Sequence, residues 1–141
     1  GMGKYIAERV AMGLVEVGEE VKGAKVTILG LTFKENGPDL RNSLVFDIIS
    51  NLEAYEVKVQ LCDPQIKEDE IEERYRARFK NLDGLAPAKV LVYAVPHREF
   101  QRLSWSGLRD GSLLHSPGIV IDVKGALPKE GVPKGVKVWR L

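Results

Sequence analysis

Three short apolar runs constrain the fold of this chain more than any other feature of its sequence. They span residues 26–31, 90–95 and 119–123, and they are rich in β-branched residues with almost no polar alternation. A strand with one solvated face alternates apolar and polar side chains, whereas a strand covered by helices on both faces is apolar almost throughout. The runs therefore predict parallel strands buried in the middle of a sheet.

Helix-like and strand-like segments alternate around these runs. The sequence predicts a helix over residues 44–52, a charged helix over 68–80 and one or two short helices over 98–109. Two further strands are predicted at 57–61 and, as an edge strand, at 136–139. In the charged helix the acidic residues precede the basic ones, which suits the helix dipole, and acid–base pairs stand four residues apart. The alternation predicts a doubly wound, mostly parallel, Rossmann-like α/β sheet flanked by helices.

The N-terminal segment has the pattern of an amphipathic helix. Its apolar residues follow at spacings of four, four and three: Ile6, Val10, Leu14 and Val17. Because this helix precedes the first strand, we interpret residues 1–21 as a connector rather than as part of the core. Residues 22–141 are then expected to form the main domain.

Charge and cysteine content exclude several classes of protein. Twenty-one Lys and Arg stand against 20 Asp and Glu, a net charge of +1, so neither nucleic acid nor an anionic membrane is an expected partner. The single cysteine, Cys62, rules out an internal disulfide and a cysteine-based zinc site. An unpaired cysteine favours a reducing, cytoplasmic location, and no apolar run is long enough to span a bilayer.

Candidate functional residues follow the predicted strands, because ligands bind at the carboxyl ends of strands in open α/β sheets. Lys34 and Arg41 follow the first strand, close to a helix start that favours anions, but two cations in a loop, taken alone, are more often a solvated surface than a binding site. No G-x-G-x-x-G fingerprint and no P-loop are present. His97 has no carboxylate closer in sequence than Glu99, which favours a structural role over general base catalysis. We interpret Cys62 as a buried small hydrophobe.

Four motifs carry a resemblance to a known family. Residues 30–43 form the pattern G-L-x-F-K-x-x-x-x-D-x-R-x-S, and they are followed by Asp-Pro at 63–64, Pro-His-x-x-Phe at 96–100 and Asp-x-Lys-Gly at 122–125. This set resembles the C-terminal, UDP-binding domain of the nucleotide-sugar 6-dehydrogenases, the UDP-glucose/GDP-mannose dehydrogenase family. The Asp-x-Lys-Gly form is similar to the UDP-N-acetylhexosamine branch, for example UDP-N-acetyl-mannosamine dehydrogenase.

The resemblance implies an oxidoreductase that converts the C6 alcohol of a UDP-sugar to a carboxylate with NAD⁺, through a thioester on a catalytic cysteine. That cysteine and the NAD-binding half of the family belong to regions with no match in this chain, and Cys62 does not fit the cysteine motif. We therefore expect an excised C-terminal domain that is inactive alone, preceded by the end of the central connector helix. The longer enzyme is expected to be a homo-oligomer.

The resemblance also implies roles for four residues. Phe33, Lys34 and Lys124 match positions that contact the UDP-sugar, and Arg41 matches a position that reaches toward NAD. Lys34 and Lys124 are expected at adjoining strand ends, where their charges would converge on one diphosphate. No residue of the chain is expected to be catalytic or to bind a metal.

The sequence leaves two other interpretations open. The chain could be a complete, non-catalytic α/β nucleotide-binding or regulatory module. It could also be an assembly domain in which the N-terminal helix forms the interface.

Overall fold

A computed structural model describes residues 1–32, 44–101, 105–109 and 113–141 of the chain. The described strands form one five-stranded sheet in the order β2-β1-β3-β4-β5, and every neighbouring pair is parallel. The strands are β1 (Lys25–Leu29), β2 (Lys58–Cys62), β3 (Ala88–Tyr93), β4 (Leu114–Asp122) and β5 (Val136–Arg140). The helices are α1 (Met2–Glu16), α2 (Leu44–Glu53), α3 (Glu73–Arg76) and α4 (Trp105–Arg109).

The sheet is buried on both faces, as the apolar runs predict. Alternate residues of the central strands point to opposite sides, so Val26 and Ile28 of β1 pack with α1 and α2, whereas Leu29 packs with Phe100 and α4. Continuous apolar strands are required because both of these surfaces are removed from water. The doubly wound α/β prediction is confirmed.

Helix α1 belongs to the core, contrary to the expectation that it is only a lead-in. Ile6, Val10 and Leu14 are fully buried in the cluster that includes α2 and β4. The helix also ends at Glu16 rather than at residue 21. Gly18 adopts a φ of 77°, which lets the N–H of Glu19 donate to the carbonyl of Leu14 at 2.9 Å and close the helix end.

The predicted charged helix over 68–80 is wrong. The structure has a 3-10 turn at Glu68–Glu70, the one-turn helix α3, and then an extended segment beside β2. There the N–H of Leu61 donates to the carbonyl of Arg78, and the N–H of Lys80 donates to the carbonyl of Leu61, both at 2.8 Å. The backbone groups of Arg78 and Lys80 thus form hydrogen bonds with the edge strand β2 instead of the bonds that they would form within a helix.

Candidate functional site

The carboxyl ends of β1 to β4 meet at one edge of the sheet, where ligands of open α/β folds bind. Among the four predicted site residues, Lys124 lies at this edge, after β4, with its side chain exposed. The predictions for Phe33, Lys34 and Arg41 fall on residues outside those that the structure describes.

A buried aspartate joins the ends of β1 and β2. Asp63 Oδ2 accepts hydrogen bonds from the N–H groups of Leu31 at 2.8 Å and Thr32 at 3.2 Å, and Oδ1 accepts from the N–H of Gln65 at 2.8 Å. Burial by itself raises the pKa of Asp63, but the hydrogen bonds from His97, Leu31 and Gln65 outweigh it and hold the pKa below its ordinary value. Asp63 is therefore an ionised carboxylate at neutral pH.

His97 ties the end of β3 into the same cluster. Its side chain is 0% exposed, and Nε2 lies 2.9 Å from both Asp63 Oδ2 and Thr32 Oγ1. Because the ionised Asp63 has no proton to donate, Nε2 must carry the hydrogen, and Thr32 Oγ1 can only accept from it. We call Thr32, Asp63 and His97 the strand-tip network.

The strand-tip network is not a hydrolytic triad, although it contains a hydroxyl, an imidazole and a carboxylate. In such triads the carboxylate bonds one ring nitrogen and the nucleophile bonds the other. Here both partners share Nε2, which holds a proton and so cannot take one from Thr32. The structural interpretation of His97 is confirmed, but its carboxylate partner is Asp63, 34 residues away, rather than Glu99.

The turn that carries Lys124 is held by a second buried aspartate. Asp122 accepts hydrogen bonds from the N–H groups of Ala126 at 3.0 Å and Leu127 at 2.9 Å. Gly125 adopts a φ of 65°, which a residue with a Cβ rarely takes. The Asp-x-Lys-Gly motif thus builds a tight turn that projects Lys124 at the edge of the sheet.

A cleft of about 260 Å³ opens between the ends of β1, β3 and β4 and the start of α2. Its walls are mostly apolar, and Lys124 is the cation among its described lining residues. Its volume is close to the lower end of the usual ligand-site range of about 300–1,000 Å³. The lining residues are Met2, Thr32, Leu44, Val45, Ala94, Val95, Val123, Lys124 and Leu141.

The prediction that Lys34 and Lys124 lie at adjoining strand ends is wrong. Lys34 follows β1 and Lys124 follows β4, but β3 lies between these strands in the sheet. The two strand ends are therefore two strand spacings apart, roughly 10 Å, rather than adjoining.

A profile of the UDP-glucose/GDP-mannose dehydrogenase family, UDP binding domain, matches residues 27–129. The chain belongs to this family. The matched residues contain all four motifs of the resemblance, the whole strand-tip network and the turn of Lys124.

Family relatives extend the match along the chain. Protein CapL from Staphylococcus aureus is 36% identical over 140 residues, which cover 99% of this chain and 32% of CapL. The UDP-N-acetyl-D-glucosamine 6-dehydrogenase of Salmonella typhi is 31% identical over 138 residues, which cover 92% of this chain and 30% of the relative. The chain thus spans about a third of the length of these family members.

Solved structures show the same fold. The UDP-N-acetyl-mannosamine dehydrogenase Cap5O from S. aureus superimposes with a TM-score of 0.70 at 24% identity, over 99% of this chain and 30% of Cap5O. The NDP-N-acetyl-D-galactosaminuronic acid dehydrogenase from Methanosarcina mazei Go1 has a TM-score of 0.77 at 18% identity, over 97% of this chain and 28% of the other.

The described residues of this family domain contain no group of three or more His, Cys, Asp or Glu side chains arranged to hold a metal ion. The helices described here are too short or too polar to cross a membrane.

Cys62 of the family domain is confirmed as a buried small hydrophobe. It ends β2, is 1% exposed, and burial together with the negative charge of Asp63 raises the pKa of its thiol to about 12. At pH 8 only about one thiol in ten thousand is then ionised.

We therefore expect the native chain to resist iodoacetamide at pH 8 over a time in which the urea-unfolded chain is fully alkylated, because only an exposed thiolate reacts. Mass spectrometry measures the modified fraction, and Cys62→Ser gives the background. Equal alkylation of the native and unfolded chains would contradict the buried assignment.

Proposed function

We propose that this chain is the UDP-binding C-terminal domain of an NAD-dependent nucleotide-sugar 6-dehydrogenase. The observation that carries the proposal is the cleft at the carboxyl edge of the sheet, with Lys124 beside it, inside the region that matches the family. Among the described lining residues, apolar walls and the cation of Lys124 suit an anionic diphosphate joined to a flat base. The apolar area would cover the base, and the lysine would meet a phosphate.

The proposal assigns each predicted residue a role. Lys34 and Lys124 bind the diphosphate, Phe33 packs beside the nucleotide, and Arg41 reaches toward NAD. Each charge-assisted contact is expected to contribute on the order of 1.5–3 kcal/mol to binding. Residues 1–21, of which Met2–Glu16 form α1, would end the connector and pack on the UDP-sugar domain of residues 22–141.

The NAD site itself does not fit the residues of this chain. In a dinucleotide-binding fold, backbone N–H groups after the first strand meet the pyrophosphate. Here the N–H groups of Leu31 and Thr32 already donate to the ionised Asp63, and a second anion there would be repelled. The proposal therefore places NAD, and the catalytic cysteine, on the rest of a longer enzyme, in a cytoplasmic setting that the unpaired Cys62 favours.

We propose a homo-oligomer for that longer enzyme. The support is a row of large apolar side chains on the outward side of α1, where Tyr5, Met12 and Val15 are 47%, 52% and 66% exposed. Large apolar side chains exposed on one helix often mark an interaction surface. Light scattering on the longer protein tests this, and a strict monomer would refute it.

UDP binding is the central test of the proposed function. We expect UDP to raise the free energy of unfolding of this chain by about 2.7 kcal/mol at a concentration 100 times Kd. Lys124→Ala is expected to raise the Kd for UDP by about tenfold or more, since it removes one charge-assisted contact. Calorimetric titration measures the Kd, and thermal unfolding measures the stabilisation.

Lys129→Ala is the matched control, because Lys129 is an exposed lysine that follows the same turn but does not line the cleft. It should leave the Kd for UDP within about twofold of the original value. NAD⁺ added alone should not stabilise the chain. The absence of any response to UDP at millimolar concentration, or equal effects of the two lysine variants, would refute the proposal.

A further inference from the structure

His97 is too deeply buried to touch a ligand, yet one of its bonds leads directly to the cleft. Its side chain is 0% exposed, and Nε2 lies 2.9 Å from the hydroxyl of Thr32, a residue that lines the same cleft as Lys124. The backbone of Thr32 is held by the same cluster, since its N–H donates to Asp63 Oδ2 at 3.2 Å. Thr32 is thus fixed through its side chain and its main chain together.

The network joins three strand ends that are brought together only by the fold. Thr32 follows β1, Asp63 follows β2 and His97 follows β3. Main-chain bonds cross the same place, because the N–H of Gly30 donates to the carbonyl of Cys62 at 2.9 Å and the N–H of Val95 donates to the carbonyl of Leu29 at 3.2 Å. Those main-chain bonds also hold the strand ends together, so the sheet does not depend on His97 alone.

We infer that His97 is a positioning residue for nucleotide binding, and that it acts through Thr32 by fixing the part of the cleft wall that Thr32 forms. This inference rests on the proposed function. The Nε2–H of His97 is shared between Asp63 Oδ2 and Thr32 Oγ1, and this bond holds the threonine side chain in one orientation. A binding site has higher affinity when its side chains are already ordered before the ligand binds. Neither residue is given a chemical step.

The test compares two threonines that are both buried and both bonded to a polar side chain from a neighbouring element. Thr32→Val removes the hydroxyl that meets His97, whereas Thr27→Val removes the hydroxyl that accepts from Gln60 Nε2 at 2.7 Å in the middle of the sheet. We expect Thr32→Val to raise the Kd for UDP about tenfold, and Thr27→Val to change that Kd less than about twofold. The two variants are expected to lose similar amounts of thermal stability, so a difference in Kd would not reflect general destabilisation.

Variants of His97 distinguish a positioning role in UDP binding from a general loss of folding stability. His97→Leu should raise the Kd for UDP about tenfold, and His97→Gln, whose side-chain amide can donate in place of Nε2, should restore most of the affinity. Because His97 acts through Thr32, the double variant with His97→Leu and Thr32→Val should bind no more weakly than the weaker single variant. Calorimetric titration with UDP on the 141-residue chain measures each Kd.

The outcomes are distinguishable. If the unmodified chain does not bind UDP, the proposed function and this inference fall together. If it binds UDP but the Thr32 and His97 variants bind equally well, only the inference is overturned. Additive losses in the double variant, or an equal loss of affinity in Thr27→Val, would likewise overturn it, since they would show independent contacts or a purely structural effect.

Discussion

Replacing Gly30 with alanine is expected to lower the free energy of unfolding by at least about 3 kcal/mol, enough to leave much of the chain unfolded. Gly30 follows β1 with a φ of 99°, a conformation that residues with a Cβ rarely adopt. An added Cβ would also lie 2.6 Å from Val95 Cβ and 2.7 Å from Val95 N, far inside van der Waals contact. The N–H of Val95 bonds the carbonyl of Leu29, so Val95 cannot move without disturbing the end of β1.

Gly23→Ala is the matched control for this substitution. Gly23 has a φ of 83°, but an added Cβ there would meet nothing within 4 Å. Its cost is then backbone strain alone, about 1–2 kcal/mol. Urea unfolding of the two variants measures the difference, which reports the overlap with Val95. Equal losses in Gly23→Ala and Gly30→Ala would show that the close approach is absent.

Replacing Asp63 with alanine is expected to cost about 3–5 kcal/mol at pH 7, because it removes the acceptor of a buried, charge-assisted cluster. The N–H groups of Leu31, Thr32 and Gln65 and the Nε2–H of His97 all donate to this carboxylate. Buried donors left without a partner lose their hydration and gain nothing in return.

The same carboxylate predicts the pH dependence of stability. The pKa of Asp63 is lower in the folded chain than in the unfolded chain, so the stability that it contributes is complete above the unfolded pKa, near 4, and is lost as pH falls through the folded pKa. We therefore expect the difference in unfolding free energy between the original chain and Asp63→Asn to shrink as pH falls from 6 toward 2.

Urea unfolding at a series of pH values measures this difference, and Asp63→Asn is used because it keeps the shape of the side chain. The pKa of Glu99 is also lowered, chiefly by the hydrogen bond that it accepts from Gln65, but Glu99 is only half-buried and its ionisation should add little to stability. Glu99→Gln is therefore the control, expected to follow the original chain. A difference between the original chain and Asp63→Asn that stays constant with pH would contradict the assignment.

Local sequence patterns predicted strands and helices correctly where the tertiary environment favours the same structure as the isolated segment. The apolar runs predicted β1, β3 and β4 because a strand covered on both faces needs apolar residues at every position. The edge strand β5 and helix α2 were also predicted correctly. The charged helix over 68–80 failed, since charge order and pair spacing describe an isolated helix, whereas the open edge of β2 offered this backbone better partners.

The candidate site shows the same division. The motifs identified the family and named the strand ends, and they placed Lys124 on a turn whose Asp122 and Gly125 explain its form. They did not show that Asp63 and His97 meet, because the pair is separated by 34 residues and each is unremarkable in its own segment.

The sequence by itself determined the alternating α/β elements, the buried strands and the family, because hydrophobic period and motif spacing are local properties of a chain. Only the tertiary structure decided which strand ends are neighbours, that α1 completes the core, and that Thr32 and Asp63 accept hydrogen bonds from the same Nε2–H of His97. Strand order in a sheet is not chain order, so contacts at its edge depend on how the crossovers place each strand.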